Sequence, residues 1–307
     1  MTSRLPAAIY SMSKIVFFGN ERLVSGLKLT ETPVLRGLIK RGYDVVAVVS
    51  HHTDANSRNN RALEVAIVAK EHNIPVLLPE KPSEIKDRLE AMGADAGILV
   101  AYGKIIPQSI IDIFPKGIIN IHPSLLPKYR GPTPIESPIA NGDTETGVSI
   151  MALTSGMDSG PVYAQATIPL TGSETKFDLY SIAAKSSADL LFDTLPGILD
   201  GSLQPTPQDE SETTFSGLLQ KSDGILEPSK LTAVAAERLV RAYLGFPKTK
   251  LTVGDQQIII TKAHVSDQHK TPLDVLCSDG DYLSIDELIA PSGKSMTAEA
   301  YRLGYLK

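Results

Sequence analysis

The chain has 307 residues, 42% of them hydrophobic and 21% charged, with a net charge of −5. That balance excludes a disordered chain and a polycationic nucleic-acid coat, and the length suits two domains rather than one minimal fold. A single cysteine, Cys277, allows no internal disulfide, and no apolar run approaches the ~20 residues that cross a bilayer, so a cytoplasmic protein is expected.

Residues 1–13 lack the apolar core of a secretory signal and are expected to be a flexible extension. Beyond them, short apolar runs alternate with helix-length stretches. Residues 15–18, 45–49 and 97–100 are near-continuous apolar segments, the pattern of parallel strands buried on both faces. The intervening stretches 33–41, 60–72 and 82–92 are long enough for crossover helices, and Pro33 and Pro82 stand where a first helical turn tolerates proline. This alternation predicts a doubly wound, Rossmann-like α/β domain over 14–203. The turn at 19–26 lacks the glycine spacing of a dinucleotide fingerprint, which disfavours an oxidoreductase.

A further strand is predicted at 117–122, a pair at 147–151 and 162–166 around the 156–160 loop, and a long helix at 176–199. Residues 204–215, poor in apolar side chains, read as a linker. The remainder, 216–307, offers a helix at 233–243 and strands at 249–253, 257–264 and 281–285. That is a small β-rich domain with the makings of a partly open barrel.

Asn120 and His122 are two apart at the carboxyl end of a predicted strand, so they share a face while Ile119 and Ile121 take the other. Open α/β sheets bind ligands just outside the carboxyl ends of their strands. There an amide can donate to a developing oxyanion, and an imidazole can hold charge or move a proton, which suits a carbonyl substrate. Spacing alone leaves this reading and a hydrogen-bonded strand-end turn equally open. Prolines at 123, 127, 132 and 134 stiffen the loop that follows, making either a pre-organised binding surface or a rigid connection. Leu125 and Leu126 have a reason to be there only in the first case. Asp158, between Gly156 and Gly160, can approach His122 and hold its orientation, although most such acidic turns are ordinary turns.

The string Ile-Ile-Asn-Ile-His-Pro-Ser-Leu-Leu-Pro-Lys-Tyr-Arg-Gly at 118–131 resembles the 10-formyltetrahydrofolate-dependent formyltransferases. So do Glu-Thr-Gly-Val-Ser-Ile-Met at 145–151, Gly-Met-Asp-Ser-Gly at 156–160 and Ala-Tyr-Gly-Lys-Ile-Ile-Pro at 101–107. The segment 235–247 looks like the entry to the OB-like second domain of the branch that formylates charged initiator transfer RNA. The resemblance implies that Asn120, His122 and Asp158 are catalytic. It also implies that Ser124, Leu125, Leu126 and Pro127 contact the folate co-substrate, that Tyr102, Gly103, Lys104, Ile105 and Ile106 hold its pterin, and that no metal is needed. A monomer without membrane association is expected.

Two features depart from that branch. Its long basic loop after the second strand is replaced at 51–61 by a shorter stretch with two arginines, and its His51-His52 pair reads as loop rather than metal site. From 206 to 307 there are 11 Lys/Arg against 14 Asp/Glu, a net of −3, although Lys230, Arg238, Arg241, Lys248 and Lys250 cluster in sequence. An amino-sugar nucleotide is the alternative formyl acceptor. A non-catalytic folate- or RNA-binding module is the alternative class, disfavoured because a pure binder needs neither His122 nor Asp158.

Overall fold

The computed structural model describes residues 13–23, 31–51 and 63–306. Residues 1–12 of the expected extension at 1–13 and most of the loop at 51–61 therefore lie outside the described residues, as does the end of the 19–26 turn. The first unit runs β1 (Lys14–Gly19), α1 (Pro33–Lys40), β2 (Asp44–Val49), α2 (Glu64–Glu71), β3 (Val76–Leu77), α3 (Lys86–Met92), β4 (Ala96–Val100), α4 (Gln108–Ile111), β5 (Ile118–His122), α5 (Glu136–Asn141), β6 (Glu145–Ala152), β7 (Val162–Pro169) and α6 (Lys176–Asp200). The predicted helix at 82–92 divides into a 3-10 turn, Pro82–Ile85, and α3.

The seven strands lie in the order β3-β2-β1-β4-β5-β6-β7. The first five run parallel and the last two pairings are antiparallel. Strand order reverses between β1 and β4, the switch point at which open α/β sheets form a ligand crevice. Both faces are covered, which is why these strands read as unbroken apolar runs. Ile15, Phe17, Ile98, Ile119 and Ile121 pack with α1 and α6 residues Leu35, Leu38, Leu191 and Leu195. Val16, Phe18, Leu99 and Ile118 pack on the opposite side with Leu89, Ile110 and Phe114.

Glu21 ties the crevice to α1. Its two carboxylate oxygens accept the N–H groups of Val34 and Leu35, at 3.0 and 2.9 Å, and so cap a helix that has no side-chain cap of its own. Burial pushes this carboxyl up to about 7 from an ordinary 4.5, against the two amide bonds and Arg36. The folded state therefore holds a proton that the unfolded chain releases, and stability falls as pH rises through that window, by on the order of 3 kcal/mol. Urea unfolding at pH 5 and pH 8 should show that loss in the wild type and a flatter dependence in Glu21→Gln. Equal slopes would remove Glu21 as the source.

The second unit holds α7 (Ala233–Ala242), β8 (Thr249–Val253), β9 (Gln256–Ser266), β10 (Asp274–Leu276), β11 (Tyr282–Ile289), β12 (Ser295–Thr297) and α8 (Ala298–Tyr305). The strands are antiparallel in the order β10-β11-β9-β8, with β12 on β11, and among the described residues this is an open path. Its own core gathers Leu226, Ala236, Val240, Ile258, Leu283, Leu288 and Tyr301. Ala242, at the end of α7, is instead buried in the first unit's core, so this helix joins the two. Lys176 and Glu136 seal the junction. Their side chains are 0% and 6% exposed and 3.4 Å apart, and the Lys176 ammonium also donates to the Phe246 carbonyl at 2.8 Å.

Candidate active site

β5 lies between parallel β4 and antiparallel β6, with Asn120 beside Leu99 and Met151, and His122 beside Ser149. Alternation along the strand puts Ile119 and Ile121 into the α1–α6 core and gives Asn120 and His122 the other face, with Ile118. Both polar residues are about 5% exposed. Beyond the strand, the Ser124 hydroxyl donates to the Lys128 carbonyl at 2.6 Å and the Ser149 hydroxyl donates to the Ser124 carbonyl at 2.7 Å. Gln165 donates to the Leu126 carbonyl at 2.8 Å, and the Leu126–Pro127 peptide is cis.

This loop returns Tyr129 to the strand end, where its main-chain carbonyl lies 2.9 Å from His122 Nε2. A carbonyl only accepts, so Nε2 carries the hydrogen and Nδ1 is left as the variable atom. Asp158 Oδ2 lies 3.7 Å from Nδ1, beyond a hydrogen bond but within ion-pair range, and accepts the Gly131 N–H at 2.8 Å. Asp158 has a left-handed φ of 45°. Its flanking glycine is a steric requirement, because a Cβ at Gly160 would stand 1.8 Å from the Ala152 carbonyl oxygen. Asn120, His122 and Asp158 are thus brought to one end of the sheet.

The residues expected at the folate are distributed unevenly. Tyr102, Ile106, Ser124 and Leu126 are buried, and Lys104 donates to the Pro79 and Glu80 carbonyls. Ile105 is 85% exposed. Tyr102 packs edge-on against Phe18 and His51, and its buried hydroxyl has no hydrogen-bond partner among the described residues. Burial pushes that phenol up to about 12, so it remains a donor.

Three residues that the sequence reading missed hold the site together. Arg130, 3% exposed, donates to Gln208 and, through two bonds of 3.0 and 2.8 Å, to Glu210. Gln208 in turn donates to the Asp158 and Gly160 carbonyls. The segment expected as a linker is therefore docked along the site, with Thr206 paired to Val162 and Phe215 to Arg130. No local signal could have found this, because Arg130 and its partners are about 80 residues apart. The sequence cluster of cations is also partly consumed. Arg238 donates to the Asn141 carbonyl, Arg241 to Glu237 and the Glu174 carbonyl, and Lys230 pairs with Glu227.

An amide, an imidazole and a carboxylate gathered at the carboxyl end of β5 are groups that can stabilise an oxyanion and move a proton, as acyl transfer requires. Residues 14–195 match the formyl transferase family model, and the chain belongs to that family. It is 36% identical, over 88% of its own length and 92% of the relative's, to the methionyl-tRNA formyltransferase of Chloroflexus aurantiacus. Two solved structures share the fold. HypX from Aquifex aeolicus, in complex with tetrahydrofolic acid, has a TM-score of 0.67 at 18% identity, covering 95% of this chain and 47% of that one. An N-formyltransferase from Helicobacter canadensis, with folinic acid and dTDP-3-aminofucose, has a TM-score of 0.66 at 18% identity, covering 90% and 99%. No described helix is long and apolar enough to cross a membrane.

Proposed function

We propose that this protein moves the formyl group of 10-formyltetrahydrofolate to the free α-amine of methionyl transfer RNA, acting as a monomer with Asn120, His122 and Asp158 as its catalytic groups. The observation that carries the reading is the placement of an amide and an imidazole on one face at the end of β5, with a carboxylate 3.7 Å from the imidazole. The family membership and the 36% identity to a protein named for this reaction support the acceptor.

In this reading the amine attacks the formyl carbon, a C–N bond forms, and the carbonyl electrons move to oxygen. Asn120 and the charged imidazole of His122 oppose that negative charge, which the ground state lacks. Collapse breaks the bond to N10, and the proton lost by the amine ends on N10. Because His122 Nε2 is tied to the Tyr129 carbonyl, a proton held by the ring during transfer sits at Nδ1 beside Asp158. Ser124 to Pro127 and Tyr102 to Ile106 line the folate site. Most of their side chains are buried or engaged, so the main chain and the Tyr102 hydroxyl, which has no partner among the described residues, are the groups offered to the donor. The antiparallel second unit is read as an OB-like module that holds the acceptor.

The net charge of −3 over 206–307, together with the cations spent at the domain junction, favours a second reading in which the acceptor is an amino-sugar nucleotide. Incubation with 10-formyltetrahydrofolate and either charged initiator transfer RNA or an amino-sugar nucleotide separates the two. Formyl incorporation into the transfer RNA is expected, and formylation of the sugar alone would overturn the first reading.

A further inference from the structure

Gln208 belongs to the segment between the two units, yet its whole amide is directed at the candidate site. Nε2 donates to the carbonyls of Asp158 and Gly160, both at 2.7 Å, and Oε1 accepts from Arg130 Nε at 3.1 Å and Nη2 at 2.8 Å. Two donors and two acceptor positions are thereby all used. One carbonyl is that of Asp158 itself and the other closes its turn at Gly160, and Asp158 sits there at a left-handed φ, a conformation that a non-glycine residue keeps only where its surroundings hold it.

Arg130 carries the other half of the connection. Its main chain is locked by the Thr214 carbonyl and the Ser216 N–H, and its guanidinium is gripped by Glu210. The residue before it, Tyr129, fixes His122 Nε2, and the residue after it, Gly131, donates to Asp158 Oδ2. One side chain therefore joins the loop that orients the imidazole to the loop that presents the carboxylate.

We propose that Gln208 is a positioning residue for formyl transfer, setting the approach of Asp158 to His122 by holding the 156–160 turn against Arg130. This rests on the reading of His122 and Asp158 as catalytic. It also gives the inter-domain segment a role in turnover beyond tethering.

Gln208→Glu isolates the donor half. The shape and the acceptor for Arg130 remain, but both N–H donors are lost and an anionic oxygen faces two carbonyls. The measurement is kcat and KM for donor and acceptor, with the thermal midpoint, in the wild-type and Asp158→Asn backgrounds. In the wild-type background kcat should fall roughly tenfold or more while each KM stays within about twofold. In the Asp158→Asn background the same change should cost less than about threefold, because a residue acting through Asp158 has nothing left to position. Equal losses in both backgrounds, or a raised KM at unchanged kcat, would overturn the proposal. Should Gln208→Glu fail to fold, Gln208→Ala is judged by the same criteria. If Asp158→Asn alone leaves kcat unchanged, the catalytic reading falls first and the role of Gln208 falls with it. If Asp158→Asn is impaired and both Gln208 variants are not, only the present inference is lost.

Discussion

Replacing His122 with alanine should lower kcat for formyl transfer by about 10²–10⁴-fold while donor binding and the thermal midpoint change little, because a positioned acid–base group contributes on that order. The effect is expected to be large because neither of the other two members of the trio can take over. Asn120 cannot exchange a proton, and Asp158 is engaged with the Gly131 N–H. The imidazole ties the 123–129 loop only at the Tyr129 carbonyl, whereas Ser124, Ser149 and Gln165 hold its donor-binding part, so the loss should appear chiefly in kcat rather than in KM. Single-turnover formyl transfer, with folate affinity measured separately, checks this. A kcat within about threefold of wild type, with folate binding intact, would falsify the assignment of His122 to the chemistry.

Lys176→Met should cost roughly 3–5 kcal/mol of stability, the usual consequence of leaving one member of a buried ion pair alone. Burial holds the Glu136 carboxyl above the usual carboxylate range and the Lys176 ammonium below its own, in each case against the attraction between the two. The pair is therefore no net gain over a well-packed apolar pair, yet either charge by itself is expensive. Because the folded Glu136 carboxyl binds a proton more readily than the unfolded one, the variant should regain stability as pH falls. Adding Glu136→Leu should restore most of the loss at neutral pH. Urea midpoints for the single and double variants measure both effects. A single-variant cost below about 1 kcal/mol would mean that the junction does not depend on this pair. Loss of the bond to the Phe246 carbonyl should also loosen the contact between the units, read as faster hydrogen exchange along α7.

Much of the first unit is legible in the sequence because its strands are buried on both faces. The runs at 15–18, 45–49 and 97–100 are apolar at every position and coincide with β1, β2 and β4. Val76–Leu77 is too short to show a pattern, and α4 and α5 are shorter than two turns, so these escape notice. In the second unit the helix at 233–243 is legible from its apolar face, whereas α8 is two turns long, follows a short edge strand and buries only Tyr301.

What the amino-acid order determined by itself is local. Residues two apart on a strand share a face, which put Asn120 and His122 together, and closely spaced prolines stiffened the loop that follows. The resemblance to known formyltransferases drew Asp158 into the same set. Only the tertiary structure decided that Asp158 comes within 3.7 Å of His122, that Gln208 and Glu210 reach back to Arg130, and that Lys176 is buried on Glu136. Lys176 stands at the first turn of α6, where a positive charge opposes the helix dipole, so local preference argues against its placement. Each of these contacts joins segments far apart along the chain. Periodicity encodes which way a side chain faces, but which distant segment it meets is set by the path of the whole chain.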